Sequence, residues 1–502
     1  MADSEQTPWW DAPDEFRRMR DVLAQAGYTH AALKTRGDTA PAAGPLAEAV
    51  QRRRTAGETP LDTLIRLFAY GLPVRREAAR RALSPMTPEQ WGEAGLLVIR
   101  GDEVAARVQL MPHRGLDGGD LWLASDSPGR DRAGIRSQYV MGVAGSSRTL
   151  AGLTLRRPCR RALDVGAGGG IQALLAAAHS DAVCATDRNP RAVAFAAFNA
   201  RLNGLEHIEY LEGDLFAPVA GRRFDLIIAN PPFVISPESG YLYRDSGLPG
   251  DAICREVVRQ APAFLEEGGW CQMLCNWAHV SGQDWRERLA RWCNDTGCDA
   301  WVLRAETEDA ASYANIWLEN TASQAAGAAA FDVWMDYYAR EGIEAVSLGL
   351  LVLHRTDRET PWFCVDDGPE TLISPCGEAV AGRFIREDAL RAAGGDARFL
   401  DLPLRASPDV RLETRFAPTA DGWAVERTHL RLVRGLAYVE SVTPRVGGIV
   451  TQCRTPRPLR GLANEADPEE LQALRRLYTH GFLVPADTND PEGGGRNVDR
   501  IG

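Results

Sequence analysis

Apolar residues near the start of the chain recur at helical spacing in short segments. Phe16, Met19, Leu23 and Ala26 predict an amphipathic helix over 13–26, followed by a loop rich in Ala, Gly and Pro over 37–45. Thr59 is placed as an N-cap, Pro60 suits the first helical position, and Asp62 completes a capping-box pattern. Leu61, Leu64, Ile65 and Phe68 then form one stripe that Gly71 stops. A further helix is expected over 74–83 and a short one after Thr87-Pro88, and LLVIRGDEVAARVQL reads as two strands around Gly101-Asp102. Three helices and a hairpin suggest a winged-helix-like module over 1–150. Such a unit either offers a recognition helix to nucleic acid or serves as a scaffold, and the pattern leaves both open.

From 151 to 355 the pattern changes. Short apolar runs (RALDVG, AVCATD, FDLIIAN, GWCQMLCNW, WVLRAE, SLGLLVL) alternate with helical stretches such as IQALLAAAH, PRAVAFAAFNARLNG and DAICREVVRQAPAFLEE. Strand–helix alternation predicts an α/β domain, a parallel sheet with helices on both faces. Over 356–485 short strands return (VRLETRFAP, WAVERTHLRLV, LAYVESVTP, GIVTQC). A helix capped by Asp467 and Pro468, with Leu471, Leu474 and Leu477 on one face, stops at Gly481. This region reads as a separate α+β domain, and 486–502 as a disordered tail.

A chain of 502 residues exceeds one ordinary domain. Hydrophobic content of 45% and charged content of 25% are those of a soluble globular protein. The 57 basic residues include a single lysine, Lys34, and the net charge is −11. Residues 1–150 hold 20 basic and 19 acidic residues, 151–350 hold 17 and 26, and 351–502 hold 20 and 23. The acidity therefore gathers around the α/β region, and a basic coat for non-specific nucleic-acid binding is excluded while a local basic site is not. No run approaches the roughly 20 apolar residues of a membrane helix, and the first residues lack the pattern of a secretory signal. With ten sparse cysteines, a cytoplasmic protein with free thiols is the expectation.

The candidate chemistry lies between 161 and 237. Asp164-Val165-Gly166-Ala167-Gly168-Gly169-Gly170 joins a strand to a helix, and Gly166, Gly168 and Gly170 permit a tight turn with close approach of a ligand to bare backbone. Asp187 ends the next strand, placed to accept both hydroxyls of a ribose or, alternatively, to cap the following helix. Asp214, with Leu215 and Phe216, follows the third strand, where an acid could meet the exocyclic amine of an adenine between apolar neighbours. Phe224 to Ala229 form a buried strand that ends in Asn230-Pro231-Pro232-Phe233. Two prolines cannot continue a ladder; they fix a rigid turn at the carboxyl end of the sheet, where open α/β sheets bind ligands. That turn can aim the Asn230 amide and the Pro231 carbonyl at a substrate –NH2, with Phe233 stacking on its plane.

These four elements, in this order and spacing, resemble the class I S-adenosylmethionine-dependent methyltransferases. The match is to the small-domain amino-methyltransferases with an Asn-Pro-Pro-Tyr/Phe motif, which include release-factor glutamine, ribosomal-RNA and DNA adenine methyltransferases. The resemblance covers 161–277. It implies a Rossmann-like, mostly parallel seven-stranded sheet and S-adenosyl-L-methionine as cofactor. It gives Gly166, Gly168 and Gly170 to the methionine and ribose portion, Asp164 to its amino-acid end, Asp187 to the ribose diol, and Asp214 with Leu215 or Phe216 to the adenine. Asn230, Pro231, Pro232 and Phe233 would hold the target amine for direct methyl transfer. After Phe233 the chain departs from the guanine methyltransferases, with Val234 where they usually carry His. On the loop that follows, Arg244, Asp245 and Asp251 are candidate substrate contacts, with solvated loop charges the alternative.

Smaller signals carry blander readings. Cys271, Cys275, Cys293 and Cys298 have spacings unlike a zinc knuckle, and no metal is expected. Six tryptophans between 277 and 334 read as core rather than base-stacking platforms, and His279 as packed or solvated. The arginine pairs at 75–76 and 80–81 read as helix surface ahead of phosphate contacts. The reading is thus a methyltransferase with roughly 300 residues beyond its catalytic core, which suits a macromolecular substrate. RNA, at an adenine or guanine amine, is favoured by the nearly neutral N-terminal third; a protein glutamine is favoured by the net acidity and runs close behind. A non-catalytic nucleotide-binding scaffold is the third possibility, against which the intact Asn230–Phe233 turn speaks.

Overall fold

The computed structural model describes residues 7–38, 46–127, 138–237, 244–245, 247–319, 324–464 and 467–486. They form two compact units, one of residues up to 151 with 157–366, the other of 152–156 with residues from 367 onward.

The first unit opens with helices α1 (Pro13–Gln25), α2 (His30–Arg36), α3 (Ala47–Arg54) and α4 (Pro60–Leu64), the last continuing as one π turn over Ile65–Ala69. The capping box is formed as the sequence predicts. Thr59 Oγ1 accepts from Asp62 N at 3.1 Å, and Asp62 accepts from Thr59 N at 3.3 Å. Then come β1 (Val74–Arg75), α5 (Arg76–Leu83), α6 (Pro88–Glu93), β2 (Leu97–Arg100) and β3 (Glu103–Ala106). Val74 and Arg75, expected in a helix, instead pair with Val104 and Glu103, closing a three-stranded sheet in the order β1–β3–β2. The hairpin edge supplies these residues with hydrogen bonds that local pattern cannot reveal. Helix, strand, two helices and hairpin follow in this order, so the N-terminal region is mostly helical with a small sheet. A second hairpin follows, β4 (Val108–Arg114) and β5 (Asp120–Asp126).

After α7 (Gly145–Leu153) the chain alternates β6 (Cys159–Val165), α8 (Ile171–Ala176), β7 (Ser180–Asp187), α9 (Pro190–Leu202), β8 (Ile208–Glu212) and β9 (Phe224–Ala229). It continues through α10 (Ala252–Gln260), β10 (Leu265–Val280), α11 (Trp285–Cys293), β11 (Cys298–Asp309), α12 (Ala310–Glu319), α13 (Gln324–Glu341), β12 (Ile343–Arg355) and β13 (Phe363–Asp367). The sheet runs β8–β7–β6–β9–β10–β12–β11–β13. Strands β6 to β10 are parallel and β12 is antiparallel to both its neighbours. This is the expected Rossmann-like, mostly parallel sheet, with eight strands rather than seven. The extra strand lies on β11, where Trp362 N donates to Asp299 at 2.9 Å and Trp301 Nε1 to Asp366 at 2.8 Å. Leu265-Glu266-Glu267, expected to end a helix, begins β10 because Pro262 stops the helix in a 3₁₀ turn.

The N-terminal segment and the sheet share one core, in which Phe16, Met19 and Leu23 meet Phe195, Phe198 and Leu202 of α9. Helix α9 also holds β5 by polar contacts. Asn203 Oδ1 accepts from Trp122 N at 2.9 Å and its Nδ2 donates to Trp122 O at 2.8 Å. Asn199 does the same for Ala124, at 2.7 and 3.0 Å, so two amides one helical turn apart replace a neighbouring strand. Arg191 completes the seam with a buried pair to Asp126 at 2.6 Å.

In the second unit α14 (Gly377–Ala393) precedes a hairpin of β14 (Val410–Thr419) and β15 (Gly422–Leu432), extended by β16 (Val439–Val442). Then come α15 (Pro444–Gln452) and α16 (Pro468–His480), the latter capped by Asp467 and stopped at Gly481 as predicted. The unit is α+β, with one correction. GIVTQC is helical, because Thr443 caps the turn that Pro444 starts, and Val446, Ile449 and Val450 bury at helical spacing. The tail predicted over 486–502, apart from Ala486, and the loop over 37–45, apart from Gly37 and Asp38, lie outside the described residues.

Candidate active site

The order of strands reverses between β6 and β9, with β7 and β8 on one side and β10 on the other. A crevice opens at the carboxyl ends of strands flanking such a switch point. There a cavity of about 400 Å³ is lined by Asp164, the 165–169 turn, Asp187, Asp214, Leu215, Asn230, Pro231 and Pro232. Its size is that of a small-molecule site.

The glycine turn adopts the conformations its sequence allows. Gly166, Gly168 and Gly170 have φ of 72°, 55° and 85°, where a side chain would be strained. The amides of Gly166 and Ala167 both donate to Thr186 O, at 2.9 and 3.0 Å, tying the turn to the end of β7. A Cβ on Gly170 would stand 3.0 Å from that of Ala196, so its absence lets α8 settle on α9. A Cβ on Gly166 would point at the Asn230–Pro231 backbone across the crevice, at 3.9 Å and beyond.

Asp164 is buried and accepts from Ala173 N at 3.0 Å, which fixes the start of α8. Asp187 accepts from Gly168 N and Asn189 N, each at 2.8 Å. Burial nevertheless raises its pKa, the two amide donors offsetting only part of the lost hydration. Leu215 has φ of 45°, and its carbonyl accepts from Thr186 Oγ1 at 2.9 Å, which turns the chain so that Asp214 and Leu215 reach the cavity. At the Asn-Pro-Pro turn, Asn230 Nδ2 donates to Ser147 Oγ at 3.4 Å, while its Oδ1 is buried and accepts no hydrogen bond among the described residues. A buried acceptor without a donor is costly and marks a place for a ligand N–H.

Six predicted site residues do not line this cavity, Gly170, packed against Ala196, being the first. Phe216 is fully buried and stacks on Phe264 at 4.8 Å. Phe233 is buried, and its backbone bridges Asp245, so it stabilises the turn rather than presenting a stacking face. Arg244 and Asp245 form a buried pair with contacts of 2.7 and 3.0 Å, and Ser236 Oγ donates to the same carboxylate. Asp251 is buried against Arg288, at 2.7 Å to both guanidinium nitrogens, and accepts from Ala278 N. These three are neither exposed contacts nor solvated charges. They hold together the segments around the catalytic turn, and Tyr241 to Tyr243 lie outside the described residues.

The sequence reading missed the rest of the wall. Ser147 of α7 and Gln172 of α8 meet behind Asn230, Gln172 Nε2 donating to Ser147 O at 2.8 Å. Gln109, Met111 and His113 of β4 and Ser125 of β5 also face the cavity, with Tyr139 to Val143. No periodicity singles these residues out, because they lie on a hairpin and a loop well before the glycine turn in the chain. Burial, with smaller contributions from His30 and Arg148, pushes His113 down to about 4, so its imidazole is neutral near pH 7. The smaller signals resolve as packing. Cys271 and Cys275 share one buried face of β10, and burial pushes the Cys293 and Cys298 thiols up to about 12. Trp277, Trp301 and Trp334 are wholly buried, and His279 bonds Ser347 at 2.7 Å.

Sheet order, glycine turn, acids at the ends of successive strands and the Asn-Pro-Pro turn together define a class I S-adenosylmethionine-dependent methyltransferase domain. Residues 142–284 match the methyltransferase small domain, and residues 24–107 match a domain of unknown function, DUF7059. The release factor glutamine methyltransferase of Xylella fastidiosa is 37% identical over 133 residues, 24% of this chain and 47% of that protein. The ribosomal protein uL3 glutamine methyltransferase of Bradyrhizobium diazoefficiens is 38% identical over 122 residues, 22% of this chain and 38% of its own length. The chain thus spans about half the length, or less, of these curated relatives. A solved methyltransferase from Pyrococcus furiosus aligns over 43% of this chain and 85% of its own, at 15% identity and a TM-score of 0.27. No described helix is long and apolar enough to cross a membrane.

Proposed function

We propose that this chain transfers a methyl group from S-adenosylmethionine to the side-chain amide nitrogen of a glutamine in a protein substrate. The observation that carries the reading is the buried Asn230 Oδ1, without a partner among the described residues, on a residue lining the same cavity as the glycine turn. The names of the relatives, both glutamine methyltransferases, move glutamine ahead of the RNA amine that the sequence placed first.

An amide nitrogen is a poor nucleophile because its lone pair is delocalised into the carbonyl. Asn230 Oδ1 and the Pro231 carbonyl accept its two hydrogens, which favours a pyramidal nitrogen and points the lone pair into the cavity. The cofactor supplies an electrophilic methyl carried on a sulfonium. Asp187 would hold the ribose hydroxyls, Asp214 and Leu215 the adenine, and Asp164 with the glycine turn the amino-acid end. On transfer the amide nitrogen would take the methyl group that the cofactor supplies and release one proton to solvent. Alignment and fixed dipoles supply the acceleration, and no strong base is required.

Transfer of a tritiated methyl group into a fractionated lysate, with nuclease and protease controls, tests the substrate class. Label destroyed by protease and mapped to a glutamine supports the proposal; label destroyed by nuclease restores the RNA amine. Asn230→Ala is expected to lower transfer by about 100-fold or more while calorimetric affinity for S-adenosylmethionine stays within a few-fold. Asp187→Ala is expected to abolish that binding. Full transfer by Asn230→Ala would refute its assigned role.

A further inference from the structure

At the opposite end of the sheet, where β9, β10 and β11 begin and β12 ends, a second cleft of about 1040 Å³ is lined by Arg223, Arg255, Arg259, Arg288, Arg291 and Arg355. We infer that this cleft binds the phosphodiester backbone of a nucleic acid, independently of which atom the active site methylates. Asp295 is the one carboxylate on its wall among the described residues. Arg288 is neutralised by Asp251, and Arg355 and Arg291 have exposed glutamates, Glu267 and Glu287, at 3.6 and 3.9 Å. Exposed pairs of this kind are weak and yield readily to a stronger anion. Arg223 donates to the Leu265 carbonyl and has no ion pair among the described residues.

Arg255 and Arg259 are the strongest part of the argument. They stand four residues apart on one face of α10, exposed, with no ion pair among the described residues. Like charges at this spacing, with Cβ atoms about 5–6 Å apart, repel each other and weaken the helix. Successive phosphates relieve that repulsion, and planar guanidinium forks match phosphate oxygens. The cleft is too large for a single phosphate group. Its one large apolar residue, Trp292, is buried, so the wall offers no exposed anchor of the kind on which a peptide depends. In a chain of net charge −11, this concentration of arginines is local.

The test is fluorescence anisotropy of the full chain with a labelled RNA hairpin and a DNA hairpin of the same sequence, from low to physiological salt. The expected result is salt-dependent binding to one or both, the comparison identifying the preferred source of the backbone. Arg255→Ala/Arg259→Ala should weaken binding tenfold or more and reduce the slope of log K against log salt by about 2. Calorimetry of the same variant with S-adenosylmethionine should be unchanged, which separates a lost cleft from lost folding. Absence of binding to both hairpins at low salt, wild-type binding by the double variant, or equal displacement by polyglutamate at matched charge would overturn the proposal.

Discussion

Asp187 and His113 face the same cavity and are shifted in opposite directions by the same cause, burial that disfavours charge. For Asp187 the raised pKa means that the carboxylate form, which its proposed contact to the ribose hydroxyls needs, is lost at a higher pH than an ordinary aspartate would dictate. Calorimetric affinity for S-adenosylmethionine should therefore weaken as pH falls, beginning above the usual carboxylate range. For His113 the folded value of about 4 lies below the unfolded value near 6.5. The unfolded chain then binds the extra proton between these pH values, so stability rises with pH across that window and is lost as pH falls through it. The loss should be at most about 3 kcal/mol, and His113→Gln should flatten it in denaturant titrations at pH 7 and pH 4.5. Asp164, Asp187, Asp214 and Asn230 were legible because glycines and prolines at fixed positions place the ends of strands, whereas His113 was not, since nothing local ties it to the site.

At the scale of elements, legibility followed whether local hydrogen bonds or distant ones decided the structure. The capped helices at Thr59 and Asp467 formed as read, because cap, proline and apolar stripe lie within one turn of one another. Val74-Arg75 and the GIVTQC segment did not, since a hairpin edge claimed the first and the Thr443 cap outweighed a β-branched run in the second. The asparagine seam on β5 was invisible for the same reason, its partners lying 75 and 81 residues apart. Asn199→Ala leaves the Ala124 amide and carbonyl unpaired and also removes a 2.9 Å bond to Gly169 O. It should cost about 2–4 kcal/mol by chemical denaturation and weaken cofactor binding beyond the loss of folded protein, because Gly169 belongs to the glycine turn.

At the scale of the molecule, the alternation of strands and helices fixed the fold class, but the role of the first 141 residues came only from packing. Their core is continuous with α9, and their second hairpin completes the cavity wall. A fragment of residues 142–366 should therefore expose Phe195, Phe198 and Leu202, aggregate in size-exclusion chromatography and lose measurable affinity for S-adenosylmethionine, even though it contains the whole matched methyltransferase segment.

One feature of the sheet sets a scale of length. Strand β9 runs from Phe224, beside the arginine cleft, to Ala229, beside the Asn-Pro-Pro turn, a span of about 17 Å. A substrate assembly anchored at one end and modified at the other must bridge that distance around the outside of the protein. Reach then becomes a criterion of choice, and the same reactive amide carried on a short fragment would be passed over for want of span rather than for want of chemistry.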